Sequence, residues 1–217
     1  MFVGHYGVSF AAKSREPQVP LWLLFIAVQW LDVVWAPLIL LGIEKVRIVP
    51  GFTATNPLDL YYMPYTHSLV AAVLWSAAAW AVYRYGWRPA DRRGGLIVAG
   101  AVFSHWVLDF IVHRPDLPLY DDTMKVGLGL WNAPVAAFGL ELVLLFGAMY
   151  LYFRSGGVTG RVPMIVFGLV MSAVQALVFF GPPPPSDKAL AITALVSYAA
   201  FAFVVHVLER RRAKVVS

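Results

Sequence analysis

The segment Ser104-His105-Trp106-Val107-Leu108-Asp109-Phe110-Ile111-Val112-His113 sets two imidazoles and a carboxylate at intervals of four residues inside an apolar stretch. On an α-helix that spacing stacks all three along one face, with a drift of about 40° per step. An imidazole nitrogen and a carboxylate one turn apart can bind one divalent ion, or can hydrogen-bond to each other. More than a pair is present. Asp32, Asp109 and Glu141 each lie within apolar runs, and His67 opens another in Thr66-His67-Ser68. Ionisable groups inside a bilayer cost about 2.5–3.5 kcal/mol each on insertion scales, so each needs a partner. A metal held by His67, His105, Asp109 and Asp32 supplies one to all four. His5 joins that set only if the N-terminal segment folds inward, which would explain why residues 2–12 are apolar and carry Gly4 and Gly7 for close packing.

A metal-activated water needs a general base within hydrogen-bond reach. Glu44, Asp59 and Glu141 are the carboxylates available. Asp59 also reads as a cap or turn residue, and Glu141 as a buried carboxylate paired with Lys125, Asn132 or Gln175. His113, beside Arg114, reads as a ligand, a proton carrier or a loop anchor. His206 lies near the C-terminal tail and reads as an interfacial residue.

The elements that position these groups belong to a membrane. Of 217 residues, 60% are hydrophobic and 13% charged, against about 25% charged in an ordinary soluble domain. So few charges cannot cover a water-facing exterior, and lipid must cover much of it. Six stretches approach the roughly 20 residues that span a bilayer: about 20–43, 67–85, 95–113, 131–153, 162–181 and 188–208. Loops rich in Gly, Pro and charge separate them, including the run Pro182–Pro185, which reads as a stiff connector. The expected fold is all-α: one polytopic membrane helix bundle over 1–217, with about six transmembrane helices. Residues 1–19 form a short re-entrant or interfacial segment, 44–66 a long periplasmic loop, and 209–217 a basic tail. No cleavable signal peptide is evident, and the absence of cysteine excludes disulfides and thiolate chemistry.

Charge asymmetry fixes the expected orientation. With six alternating helices, one side holds Lys13, Arg15, Arg84, Arg88, Arg92, Arg93, Arg154, Arg161, Arg210, Arg211, Arg212 and Lys214, twelve in all. The other holds Lys45, Arg47, Arg114, Lys125 and Lys188, five in all. The positive-inside rule places the first side, with both termini, in the cytoplasm. The basic tail then anchors the chain at the membrane and does not bind nucleic acid.

Four motifs in order carry a resemblance: Gly4-His5, Asp32, Thr66-His67-Ser68, and Ser104-His105 with Asp109. Over roughly residues 4–118 the chain resembles the predicted membrane-bound metal-dependent hydrolases, the LexA-regulated inner-membrane hydrolase group. Two features depart from that family. Its acidic motif has two Asp residues after a Pro, where this chain has Gln29-Trp30-Leu31-Asp32. Its His-Arg-Gly before Thr-His is here Tyr62-Met63-Pro64-Tyr65. The resemblance implies a bacterial inner-membrane protein that hydrolyses a lipid or other membrane-associated substrate. It also implies a divalent ion, zinc by preference, held by His5, Asp32, His67, His105 and Asp109. The residues alone also admit an ion- or proton-coupled transporter, or a non-catalytic metal-stabilised scaffold.

Overall fold

A computed structural model describes residues 1–156 and 160–213. It is mostly helical, in the order α1 (Val3–Arg15), α2 (Leu21–Val28), α3 (Trp30–Leu40), β1 (Lys45–Ile48), β2 (Leu58–Tyr62), α4 (Leu69–Ala81), α5 (Arg92–Val112), α6 (Pro134–Arg154), α7 (Arg161–Phe180) and α8 (Asp187–Ala213). Among the described residues, α5, α6, α7 and α8 are long and apolar enough to cross a membrane. Their outward faces are apolar as well: Val143, Leu151, Leu169 and Phe203 are all more than half exposed. Helices whose outside is as apolar as their inside suit a hydrocarbon solvent.

The stretches expected at 20–43 and 67–85 differ from simple spans. The first is a broken pair, α2 and α3, bent by 53° at Gln29, and it passes as one span only if the two halves are joined. In the second, α4 is 13 residues long and then widens into a π-helical turn at Val82–Trp87. At 1.5 Å per residue α4 reaches about 20 Å, short of the roughly 30 Å hydrocarbon core. The loop expected at 44–66 contains an antiparallel hairpin, β1 with β2, in which Arg47 faces Asp59 and a register irregularity separates Lys45 from Arg47.

The N-terminal segment is helical and enclosed. Val3, His5, Tyr6, Ser9 and Phe10 are fully buried, so α1 lies among the other helices and not on their surface. Its close neighbour is α6. A Cβ on Gly7 would collide with the carbonyl oxygen of Leu144 and sit 2.7 Å from its carbon. Gly7 is therefore the residue that lets two backbones touch. The N-terminus of α1 is capped from outside the helix, because Glu141 Oε2 accepts from the Phe2 and Gly4 N–H groups at 3.0 and 3.1 Å. At the far end, Lys13 Nζ donates to the Pro17 and Val19 carbonyls and pairs with Glu209 at 2.6 Å, while Glu209 accepts from the Leu21 N–H that begins α2.

This close approach is testable. Gly7→Ala should destabilise the protein by about 1–3 kcal/mol through overpacking. Gly147→Ala, on α6 with nothing near the added Cβ, should leave the unfolding midpoint in detergent unchanged. Equal midpoints for both variants would contradict the packing of α1 on α6.

Candidate metal centre

Four imidazoles and two carboxylates meet where α1, α3, α5 and the start of α4 converge. Asp109 is at the middle, on α5. Its Oδ1 lies 3.2 Å from His5 Nε2, and 2.6 Å from the Met1 amine. Its Oδ2 lies 3.1 Å from His105 Nε2, 3.6 Å from His113 Nε2 and 3.8 Å from His67 Nε2. Asp32 Oδ1 completes the ring, 3.3 Å from His67 Nε2 and 3.8 Å from His105 Nε2. The i, i+4 spacing on α5 brings His105, Asp109 and His113 onto one face as the sequence predicts. The insertion of α1 brings in His5, whose ring stacks on that of His105 at 4.0 Å and 3°.

The second nitrogens decide which way each imidazole presents its lone pair. His105 Nδ1 lies 2.7 Å from the carbonyl of Val28, the last residue of α2, so Nδ1 carries the proton. A side chain that takes a carbonyl from the helical ladder is one recognised cause of a sharp kink, and the α2–α3 break follows directly. That break makes Asp32 a first-turn residue of α3, where the helix dipole favours a carboxylate. His67 Nδ1 lies 2.7 Å from Thr66 Oγ1, and the Thr66 hydroxyl donates its single proton to Glu44 Oε2 at 2.6 Å. The His67 proton is therefore also on Nδ1. His113 Nδ1 lies 2.8 Å from Asp116 Oδ1, with the same result. Hydrogen bonds of this kind orient metal-binding histidines.

In their neutral forms these three imidazoles turn acceptor Nε2 atoms toward two carboxylates, of which Asp109 also accepts from the Met1 ammonium and Asp32 from the Tyr198 hydroxyl. His105 Nε2 has no hydrogen-bond partner at all, and neither has His5 Nδ1. Buried polar groups left so would cost about 1–3 kcal/mol each. A cation among them makes every contact attractive. The spacing suits one: ligands of a tetrahedral ion with bonds near 2.05 Å stand about 3.3 Å apart, and the closest pairs here are 3.1–3.3 Å. Two ligand sets, His5 with His105 and Asp109, and Asp32 with His67 and His105, share His105.

The other expected residues separate. Asp59 is not brought to the cluster: on the hairpin its carboxylate accepts from Arg47 Nε at 3.0 Å, while its neighbours Leu58 and Leu60 face inward, as strand alternation requires. It sits in a strand ion pair and not at a helix cap. Glu141 is fully buried near the cluster, but its oxygens are taken by the α1 cap and by Gln175 Nε2 at 3.0 Å. Of the partners expected for it, Gln175 is the one found. Lys125 instead pairs with Asp122 and donates to the Tyr61 carbonyl. His113 faces Asp109 while held by Asp116. Glu44 sits behind Thr66, accepting from the Tyr65 and Thr66 N–H groups and the Thr66 hydroxyl; its burial pushes its pKa up against those donors.

Four participants were missed from sequence, the first being the Met1 ammonium on Asp109. Asp116 follows His113 by three residues in His113-Arg114-Pro115-Asp116, a readable signal. Tyr198 on α8 donates to Asp32 Oδ2 at 2.8 Å, and the Val28 carbonyl holds His105; neither has a local signature. Comparison with known protein families, with curated proteins and with solved structures gives no match.

Thr66→Val cuts the Glu44–Thr66–His67 chain without touching a ligand atom. It should weaken metal binding about 10–100-fold, measured by competition with a chromophoric chelator. Unchanged affinity would remove Thr66 from the account.

Proposed function

We propose that this chain is a membrane-embedded, metal-dependent hydrolase acting on a lipid or other membrane-associated substrate. The observation that carries the reading is the inward-facing lone pairs of His67, His105 and His113, each fixed by a hydrogen bond on its other nitrogen, around Asp109. A divalent ion, zinc by the chemistry of imidazole and carboxylate donors, would be held by ligands drawn from His5, Asp32, His67, His105 and Asp109, which form two three-residue sets that share His105. When bound, such an ion acts as a Lewis acid and lowers the pKa of water. His113 is the group that takes the proton. Its Nε2 faces the cluster, and Asp116 stabilises the imidazolium that forms, as a carboxylate does behind a catalytic histidine. Asp59 has no part in this chemistry, and Glu141 acts by holding α1, and with it His5, in place.

In this reading the chain crosses a bacterial inner membrane six times. The bent α2–α3 pair, and α4 continued by its π-helical turn to Trp87, would complete the four long spans, and the twelve-to-five division of basic residues favours both termini in the cytoplasm. The cluster then lies in the periplasmic half, beneath the hairpin.

Zinc-loaded protein in liposomes of mixed phospholipids and glycolipids should release water-soluble or free-acyl products detectable by mass spectrometry. His113→Gln should lower that rate by about 10²–10⁴-fold while leaving zinc bound. Vesicles that gain zinc or protons, with no lipid product, would replace the hydrolase by a transporter.

A further inference from the structure

Beside the cluster lies a cavity of about 560 Å³, more room than a water molecule and a scissile bond require. One end is formed by Asp32, His67 and Asp109. Its walls continue along α7 and α8 to Pro182–Pro185. Thr193, Ala194 and Ser197 of α8 and Val174 and Val178 of α7 line it, and their short side chains leave the space between the two helices unfilled. Leu177 and Val178, which line it, are also 68% and 52% exposed on the apolar exterior of α7. One opening therefore lies on the apolar exterior of α7, while the lining also reaches Asn56, Pro57 and Pro182–Pro185 in the connecting loops.

Three polar atoms around this cavity lack a partner. Gln175 Oε1 is one, on a fully buried side chain; the indole N–H groups of Trp35 and Trp131 are the others. Both indoles stand against cluster histidines: Trp35 is edge-on to His67 at 6.5 Å and Trp131 lies 4.2 Å from His113. Unpaired buried donors and acceptors are rare in a finished structure, and a ligand bearing oxygen atoms and a hydroxyl or amide would pair all three.

We infer that the crevice binds one hydrocarbon chain of a membrane lipid, with the lipid's oxygen-bearing head at Trp35 and Trp131 beside the cluster. The head's position rests on the hydrolase reading; the chain's position rests on the crevice alone. A protein helix of two or more turns does not fit, since a single turn about 10 Å wide and 5.4 Å high already takes about 400 Å³. A hydrocarbon chain does, and in a bilayer it is the solvent at the mouth. The small stripe on α8 and the proline run, which cannot close over it as helix, keep the entrance open.

The test needs no turnover. Full-length protein is placed in phosphatidylcholine nanodiscs doped with a phosphatidylcholine carrying a diazirine midway along one acyl chain, irradiated, and mapped by peptide mass spectrometry. Labels should concentrate on 174–178 and 190–197, above the level on the outer face of α6 at Val143 and Leu151. Ala194→Trp, which fills the crevice, should abolish the excess while α6 labelling stays. Trp35→Phe with Trp131→Phe keeps the rings and removes the donors, and should lower the crevice labelling. Crevice labelling no greater than that on α6 overturns the inference, as does labelling that survives Ala194→Trp or a crevice cross-linked to another polypeptide. Metal content measured on the same samples separates the two readings: labelling without bound metal would retain the lipid site and end the hydrolase.

Discussion

Asp109, ringed by imidazoles and met by the Met1 ammonium at 2.6 Å, is the group on which the surrounding structure converges. Histidines 67, 105 and 113 give their Nδ1 protons to Thr66, to the Val28 carbonyl and to Asp116, so each turns an Nε2 lone pair toward Asp109 or Asp32. Repulsion between acceptors at 3–4 Å is tolerable in water and costly where water is excluded. Much of the surrounding structure serves to hold this arrangement. The 53° break between α2 and α3 lies where the Val28 carbonyl meets His105, and it brings Asp32 to a helix N-terminus. Gly7 lets α1 reach depth, and Glu141 caps it there, which carries His5 to Asp109.

The same physics explains why buried carboxylates divide by role. Asp109 and Asp32 each accept from one donor, the Met1 ammonium and the Tyr198 hydroxyl, and turn their remaining oxygens toward imidazoles. Glu141 faces two backbone N–H groups and an amide, so its oxygens are already satisfied. Glu44 faces three donors and acts on His67 only through Thr66. Proximity to the cluster does not make a carboxylate a base; what matters is whether its lone pairs are free. By that criterion Glu44 and Glu141 drop out, and His113, backed by Asp116, is one of three imidazoles that turn Nε2 toward the cluster.

Some of this was legible in sequence. The interval of four between His105, Asp109 and His113 fixes their shared face once the helix is granted, and α5 keeps it. Asp32 and His67 were legible because polar groups in apolar runs need partners. The membrane character followed from the scarcity of charge. The span count was less so, because hydropathy registers a continuous apolar stretch at 20–43 and cannot see a carbonyl at Val28 being taken by a histidine 77 residues away. The hairpin in 44–66 was hidden for a similar reason: its register depends on Arg47 meeting Asp59 across the loop, and that pairing also withdrew Asp59 from the site. Tyr198 and the crevice between α7 and α8 arise from packing between distant segments, which no local spacing encodes.

Elemental analysis of the protein purified without added metal, beside His105→Ala and Asp109→Asn, tests the central claim most directly. The wild type should carry a stoichiometric divalent ion, and both variants should lose it while retaining a cooperative unfolding transition in detergent. A folded wild type with no stoichiometric metal, or variants that bind it as well as the wild type, would contradict the account.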